Sequence, residues 1–409
     1  MDHAAHLGRL ARRLVCQMAP VTELLGACEA VPHWSTLACQ RALMEALLLD
    51  ADCLAVSKRY RQRALKKLLD ALKHEEIDEE LLMGYLALKD GITTGAAAGT
   101  KQEEEEKKDW YTLTFPLASR KGEIETTDSI SGHGSRRLLR LRVRDHIGGG
   151  AETGCILWPA ARLLTAYLLA EEGQSSVPVG STTARKTARK SWRQVLDGIH
   201  VLELGSGVGL PGLALAKSAL PARVTLTDND TVAMANLEEN LNRNLNRNCS
   251  RGFDGGGRAS GDESGRLGGT AVRIAPLDWY EVVAANEDEL TRLLPEELAE
   301  SQLIVCADLV YNPLLLAPLV GTLRRLLRRD VLPPPRASAG PHWPIALIAA
   351  ERRSEETWAV FEDELKKNRL EFRDCTEEAL AMAKGCEIHC SRESLDRMVV
   401  LELWSGATP

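Results

Sequence analysis

His200-Val-Leu-Glu-Leu-Gly-Ser-Gly-Val-Gly209 is the stretch on which the reading of this chain turns. Val201, Leu202 and Leu204 form a short apolar run, the length of a buried strand in a parallel sheet. Gly205, Gly207 and Gly209 follow at alternate positions and predict a tight turn where a side chain would collide with something lying close. Leu210 to Leu220 then reads as a helix, with Pro211 tolerated in its first turn. Strand, glycine turn and helix make a nucleotide-cradling unit at the carboxyl edge of an α/β sheet.

Glycines alone leave two ligands open. Gly207-x-Gly209-x-x-Gly212 satisfies the dinucleotide pattern, so an NAD-dependent oxidoreductase is one reading. Glu203 points elsewhere: a carboxylate at the strand end suits a cationic ligand and sits badly beside a pyrophosphate. The turn carries no basic residue either. Leu202 to Leu210 resembles the first motif of S-adenosylmethionine-dependent methyltransferases with a seven-stranded sheet.

Further strands follow the glycine turn in order. Arg223 to Asp228 ends in an acid about where nucleotide-binding sheets place the carboxylate that accepts ribose hydroxyls. Asp230 competes for that role, and Asp228 is preferred because it sits at the strand terminus. Val272 to Ala275 is a third strand, closed by Leu277-Asp-Trp279, where Trp279 offers a flat apolar face or simply fills the core. Leu303 to Ala307 is a fourth, followed at once by Asp308-Leu-Val-Tyr311 and a helix from Pro313. Ile345–Ala350, Leu370–Asp374 and Arg397–Trp404 complete the pattern. Strands alternating with helices predict an α/β fold with a doubly wound, Rossmann-like sheet of seven strands. Trp158 precedes the helix from Arg162, either as a staple into the core or as a lining of the ligand pocket.

The chain divides by pattern into three parts. Residues 1–95 show leucines at spacings of three and four, as in Leu65, Leu68, Leu69 and Leu72, and predict a helical domain. Arg61, Arg63, Lys66 and Lys67 among them read as a solvated helix face. Residues 96–150 read as an acidic linker around Glu103–Glu106 and a β-hairpin of Trp110–Phe115 with Leu138–Val143, expected to pack on the edge of the catalytic domain. Residues 151–409 form the catalytic domain, with polar insertions at 173–193, 248–269 and 331–343.

Composition bounds the function. With 409 residues and a hydrophobic content of 44%, the chain can bury more than one core. A net charge of −7 argues against a general nucleic-acid binder, and no apolar run is long enough to span a membrane. Ten cysteines are scattered without paired metal spacing. Cys386-x-x-x-Cys390 with His389 is the nearest approach, and it reads as reduced thiols, with no metal expected. The first residues show no secretory-leader pattern, from which a reducing, cytoplasmic compartment is expected.

Trp158, Leu202–Leu210, Leu277-Asp-Trp279 and Ala307-Asp-Leu-Val-Tyr311 occur in the order found in the seven-strand protein-lysine methyltransferases, methyltransferase family 16, which the chain resembles. The helical region around Pro32-His-Trp34 and Arg61 to His74 is similar to the subgroup that methylates elongation factor 2. The resemblance implies S-adenosylmethionine as cofactor, contacted by Trp158, Glu203, Gly205, Ser206, Gly207, Asp228, Trp279 and Ala307. It implies that Asp308 and Tyr311 position the target lysine, the alternative being that they cap the helix from Pro313. It implies a protein substrate: elongation factor 2 or, in relatives, a chaperone or calmodulin. A non-catalytic adaptor keeping the same fold is the remaining alternative.

Overall fold

The computed structural model describes residues 2–90, 110–117, 137–144, 153–170, 192–245, 265–328, 344–384 and 386–406. The acidic linker, most of the first two insertions and all of 331–343 lie outside the described residues. The chain divides into two units, residues 1–116 with 140–148, and the remainder.

The first unit contains α1 (His3–Cys16), α2 (Val21–Glu29), α3 (Leu37–Met44), α4 (Ala51–Leu54), α5 (Lys58–Ala71) and α6 (Glu79–Asp90). Its helices form because leucines recur on one face of each and meet inside: Leu7, Leu14, Leu24, Leu43, Leu65, Leu68 and Leu72 are buried. Pro32-His-Trp34 separates α2 from α3, with His33 at φ +60°. Arg61 departs from the solvated face expected of it. It is buried, and that burial lowers its pKa, whereas Arg63, Lys66 and Lys67 are exposed.

Strands β1 (Trp110–Leu117) and β2 (Arg137–Arg144) form a two-stranded sheet of their own. Thr112 N donates to Ala55 O at 2.9 Å and Arg140 Nε pairs with Asp52 at 2.9 Å, so the strands are bonded to the helical unit. Strand propensity is local, but the partner of an edge is not.

In the second unit, the strands are β3 (His200–Leu204), β4 (Arg223–Asp228), β5 (Gly265–Leu267), β6 (Thr270–Pro276), β7 (Leu303–Ala307), β8 (Ile345–Glu351), β9 (Leu370–Asp374) and β10 (Met398–Ser405). They lie in the order β5-β6-β4-β3-β7-β8-β10-β9. The five from β6 to β8 pair in parallel, while β10 runs antiparallel to both β8 and β9. Eight strands replace the expected seven. Gly268 and Gly269, both at positive φ, turn Gly265–Leu267 back onto the open edge of β6, inside what reads from sequence as a loop insertion.

Helices of this unit include α7 (Pro159–Leu169), α8 (Leu210–Ser218), α9 (Thr231–Asn244), α10 (Trp279–Ala284), α11 (Pro313–Leu326), α12 (Glu355–Lys367) and α13 (Thr376–Ala383). Alternation along each strand sorts the layers. Leu202, Leu204, Ile304 and Cys306 pack with Leu319 and Leu323 of α11 and with Trp358 and Phe361 of α12. Glu203, between the two leucines of β3, faces the opposite layer and meets α8. Chain order reverses between β3 and β7, so their carboxyl ends open the crevice where such sheets bind ligands.

Candidate functional site

The floor of the crevice is the turn after β3. Gly205 has φ +56° and Gly207 +53°, left-handed values that a side chain resists. A Cβ on Gly205 would lie 2.6 Å from Leu309, and one on Gly207 would lie 2.9 Å from the carbonyl oxygen of Gly154. Backbone and neighbours therefore close in around the turn.

Asp228 is locked to that turn. Gly207 N–H donates to Oδ2 at 2.9 Å, while the N–H groups of Asn229 and Asp230 donate to Oδ1 at 2.9 and 3.1 Å. Burial pushes the carboxyl upward and these three hydrogen bonds pull it back. A carboxylate offers about four acceptor directions, so Oδ2 keeps one for a ligand hydroxyl. Asp230 is occupied otherwise, capping α9 by accepting from Ala233 N at 2.8 Å.

Two expected cofactor contacts face inward. Glu203 is 1% exposed, and its Oε2 accepts from Gly212 N at 3.0 Å beneath α8. Burial pushes it up to about 8, with the nearby charge of Asp228 adding to the rise against the Gly212 hydrogen bond, so it is mostly protonated at neutral pH. The expectation that Glu203 meets a cationic ligand stands against this placement, in which the period-two alternation of β3 turns the carboxyl to the helix layer. Ser206 is also buried. Its hydroxyl accepts from Thr227 N at 3.1 Å and donates to Glu203 O at 3.4 Å, tying the turn to β4.

Around the floor stand the remaining residues. Trp279 opens α10 behind its N-cap Asp278, which accepts from Tyr280 N and Glu281 N; the ring is half-buried, with Cζ2 at 3.5 Å from where a Gly205 Cβ would be. Ala307 ends β7 and is half-buried. Trp158 occupies the N-cap position of α7, and its Nε1 donates to Thr153 O at 3.1 Å.

Asp308 has φ +61°, a costly value for a residue with a Cβ, and its N–H donates to Ala349 O at 2.7 Å. Its side chain is 1% exposed and forms a two-pronged ion pair with Arg353: Nη1 to Oδ1 at 2.9 Å and Nη2 to Oδ2 at 2.6 Å. Tyr311 is 46% exposed, and its phenol is pushed up by burial and then by the charges of Asp228 and Asp308. Neither Asp308 nor Tyr311 caps α11, because Asn312 does so by accepting from Leu314 N at 3.1 Å.

Sequence reasoning missed Arg353 and Glu351. Arg353 also binds Glu351 at 3.0 Å, Glu351 binds Arg397 at 2.6 Å, and the Arg353 guanidinium lies 5.2 Å from the Trp158 ring. The available signal was Glu351-Arg-Arg353 directly after an apolar strand, the same strand-end position that marked Asp228 and Asp308. Among the described residues the Cys386–Cys390 segment forms no metal-ligand cluster. Cys16, Asp50 and Cys53 do bring ligand atoms within 4.8 Å of one another, but Asp50 is already engaged by Arg12 and by the N–H groups of Asp52 and Cys53.

Such a rim, with a glycine floor, a strand-end acid and a half-buried tryptophan, is shared by several nucleotide-using folds. The sequence of the floor separates them. Residues 138–252 match the lysine methyltransferase family model. The match spans Trp158, the glycine turn and Asp228, while Trp279, Asp308 and Tyr311 lie beyond it. The human protein-lysine N-methyltransferase EEF2KMT is 30% identical over 167 residues, 40% of this chain and 42% of that protein. Its Bos taurus namesake is likewise 30% identical, over 40% of this chain and 43% of its own. The chain therefore spans less than half the length of the curated relatives it matches. Among solved structures, the Methanococcus jannaschii fibrillarin pre-rRNA processing protein aligns at 12% identity and a TM-score of 0.33, over 68% of this chain and 93% of that one.

Proposed function

We propose that this protein transfers a methyl group from S-adenosylmethionine to a lysine side chain of a protein, with elongation factor 2 as the favoured acceptor. The observation that carries the reading is that the Asp228-locked glycine turn and the Asp308–Tyr311 loop follow the carboxyl ends of the adjacent parallel strands β4, β3 and β7, at one sheet edge. The residues suit an adenosine with a charged sulfur. The glycine floor keeps its backbone free of side chains, Asp228 retains an acceptor for a ribose hydroxyl, and the half-buried Trp279 ring stands beside the turn. When bound, S-adenosylmethionine supplies the methyl, the C–S electron pair staying on sulfur as the new N–C bond forms.

The chain's own residues align and desolvate. Holding a nucleophile in line with the methyl supplies several kcal/mol without a covalent intermediate. Tyr311, exposed at the mouth, directs the lysine nitrogen, while Asp308, buried behind Arg353, sets the charge felt by the amine. Trp158, whose ring the Arg353 guanidinium borders, would hold the tail of the cofactor. The relative named EEF2KMT supports a lysine acceptor, and the Pro32-His-Trp34 region supports elongation factor 2. No helix among the described residues is long and apolar enough to cross a membrane. We place the activity in the cytoplasm, where that acceptor works.

The test is direct. The protein is incubated with methyl-labelled S-adenosylmethionine and purified elongation factor 2, and the acceptor is digested and weighed for methyl-lysine. Label on a single lysine is expected. No transfer to this acceptor or to any polypeptide of a lysate, or tight binding of NAD in its place by calorimetry, ends the proposal.

A further inference from the structure

We infer that Arg353 is a positioning residue that sets the protonation state of the amine presented to Asp308, an inference that rests on the methyl-transfer reading above. An isolated carboxylate next to an incoming lysine is a poor arrangement for methyl transfer. It stabilises the ammonium, whose nitrogen has no lone pair with which to attack. Asp308 is not isolated. Both of its oxygens are engaged by Arg353, in the two-pronged geometry that gives charge-assisted pairs their strength.

The groups that face Asp308 come from several elements. Tyr311 lies on its own loop; Glu351 ends β8, its backbone N–H 3.4 Å from Asp308 Oδ1; Arg353 follows β8; Arg397 precedes β10 and reaches Glu351; Asp228 ends β4 and acts through Tyr311. Asp308, Glu351, Arg353 and Arg397 together hold two negative and two positive charges, so the quartet carries no net charge. Arg353 is 33% exposed while Asp308 is 1% exposed, so the guanidinium lies on the solvent side of the carboxylate it neutralises.

Consequences for the amine follow from this cancellation. A neutral quartet exerts little pull on an ammonium, which gives up its proton to solvent on entering the apolar mouth. Asp308 is buried behind Arg353, so it acts on the amine through its field and not by direct contact, and that field is what Arg353 sets. Arg353 also borders Trp158, so the same residue holds the acid and one wall of the crevice in a fixed relation.

The experiment compares wild type, R353Q and R353K. The pH profile of kcat is measured with S-adenosylmethionine and elongation factor 2, since its acid limb reports groups in the bound complex. Removing the guanidinium leaves Asp308 uncompensated, so the acid limb of R353Q should move up by about one pH unit. Its kcat near neutrality should then fall roughly tenfold and recover in alkali. R353K, which keeps the charge, should restore the wild-type profile. A general loss of structure would lower kcat at every pH without moving the limb. Independently of turnover, n-butylamine is titrated by tryptophan fluorescence with S-adenosylhomocysteine present. Wild type should bind it better as pH rises, and R353Q better as pH falls. In D308N/R353Q, which lacks the acid as well, the preference for low pH should vanish. Identical pH dependence in wild type and R353Q, or no n-butylamine binding to either, overturns the inference. Failure of wild type to methylate any polypeptide while the amine titrations differ as expected would strike the methyl-transfer reading and support the assignment of Arg353.

Discussion

Replacing Glu203 by Gln separates two accounts of the same carboxyl group. If Glu203 served a cationic cofactor, Glu203→Gln would weaken cofactor binding. Its buried place under α8 predicts an effect on stability and on pH instead. Glu203 titrates at about 8 in the folded protein against an ordinary value of 4.5, with burial the main cause. The sign is set by proton uptake: between these two values the folded state holds a proton that the unfolded chain has released, so stability falls as pH rises through this window. The loss accumulates at about 1.4 kcal/mol per pH unit and reaches roughly 3 kcal/mol by pH 7. Glutamine cannot ionise and keeps an oxygen for the Gly212 N–H, but its amide adds a buried donor worth about 1–3 kcal/mol if unpaired. The variant should therefore be less stable than wild type at pH 5, comparable near pH 7 and more stable at pH 8. Urea unfolding followed by tryptophan fluorescence at those three pH values gives the comparison, and calorimetry with S-adenosylmethionine should show affinity changed by less than about threefold, under 1 kcal/mol. Parallel stability–pH curves for the two proteins, or a tenfold loss of affinity in the variant, would refute the placement.

Three other substitutions probe the crevice. Asp228→Ala should weaken S-adenosylmethionine binding tenfold or more by calorimetry, because hydrogen bonds to a charged acceptor are worth about 1.5–3 kcal/mol and the variant also frees the Gly207 N–H. Gly207→Ala should abolish cofactor binding and lower the melting temperature, since its Cβ meets the Gly154 carbonyl oxygen at 2.9 Å and a left-handed φ costs about 1–2 kcal/mol; an unchanged melting curve would contradict this. Asp308→Ala should leave cofactor affinity intact and eliminate methyl transfer in the labelled assay, so retained activity would mean that the loop after β7 does not serve the acceptor.

Much of the sheet was legible because its strands are short apolar runs ending in acids or glycines. Helix boundaries were nearly as clear, since Asp230, Asn312 and Ser354 cap α9, α11 and α12 through side chains that the sequence displays. The three-residue β5 was not, because so short a run has no period of its own and only the Gly268–Gly269 turn announces it. The hairpin of β1 and β2 is legible as strands, but its bonds to Ala55 and Asp52 are not, since strand-forming residues carry no address. Within the site, Asp228 could be chosen over Asp230 from strand position alone. The inward direction of the Glu203 and Ser206 side chains is not legible in that way: membership in a motif says that a residue is required there, not which way it points.

The sequence by itself determined the order of strands and helices, the left-handed glycine turn and the acids at the ends of β4 and β7, because periodicity, chirality and capping act over a few residues. Tertiary structure alone decided what those acids are beside. Asp308 and Arg353 stand 45 residues apart and meet because β7 and β8 pair in parallel with Ala307 opposite Ala349. A carboxylate's charge is written in the chain, but the field acting on it belongs to whatever the sheet brings alongside.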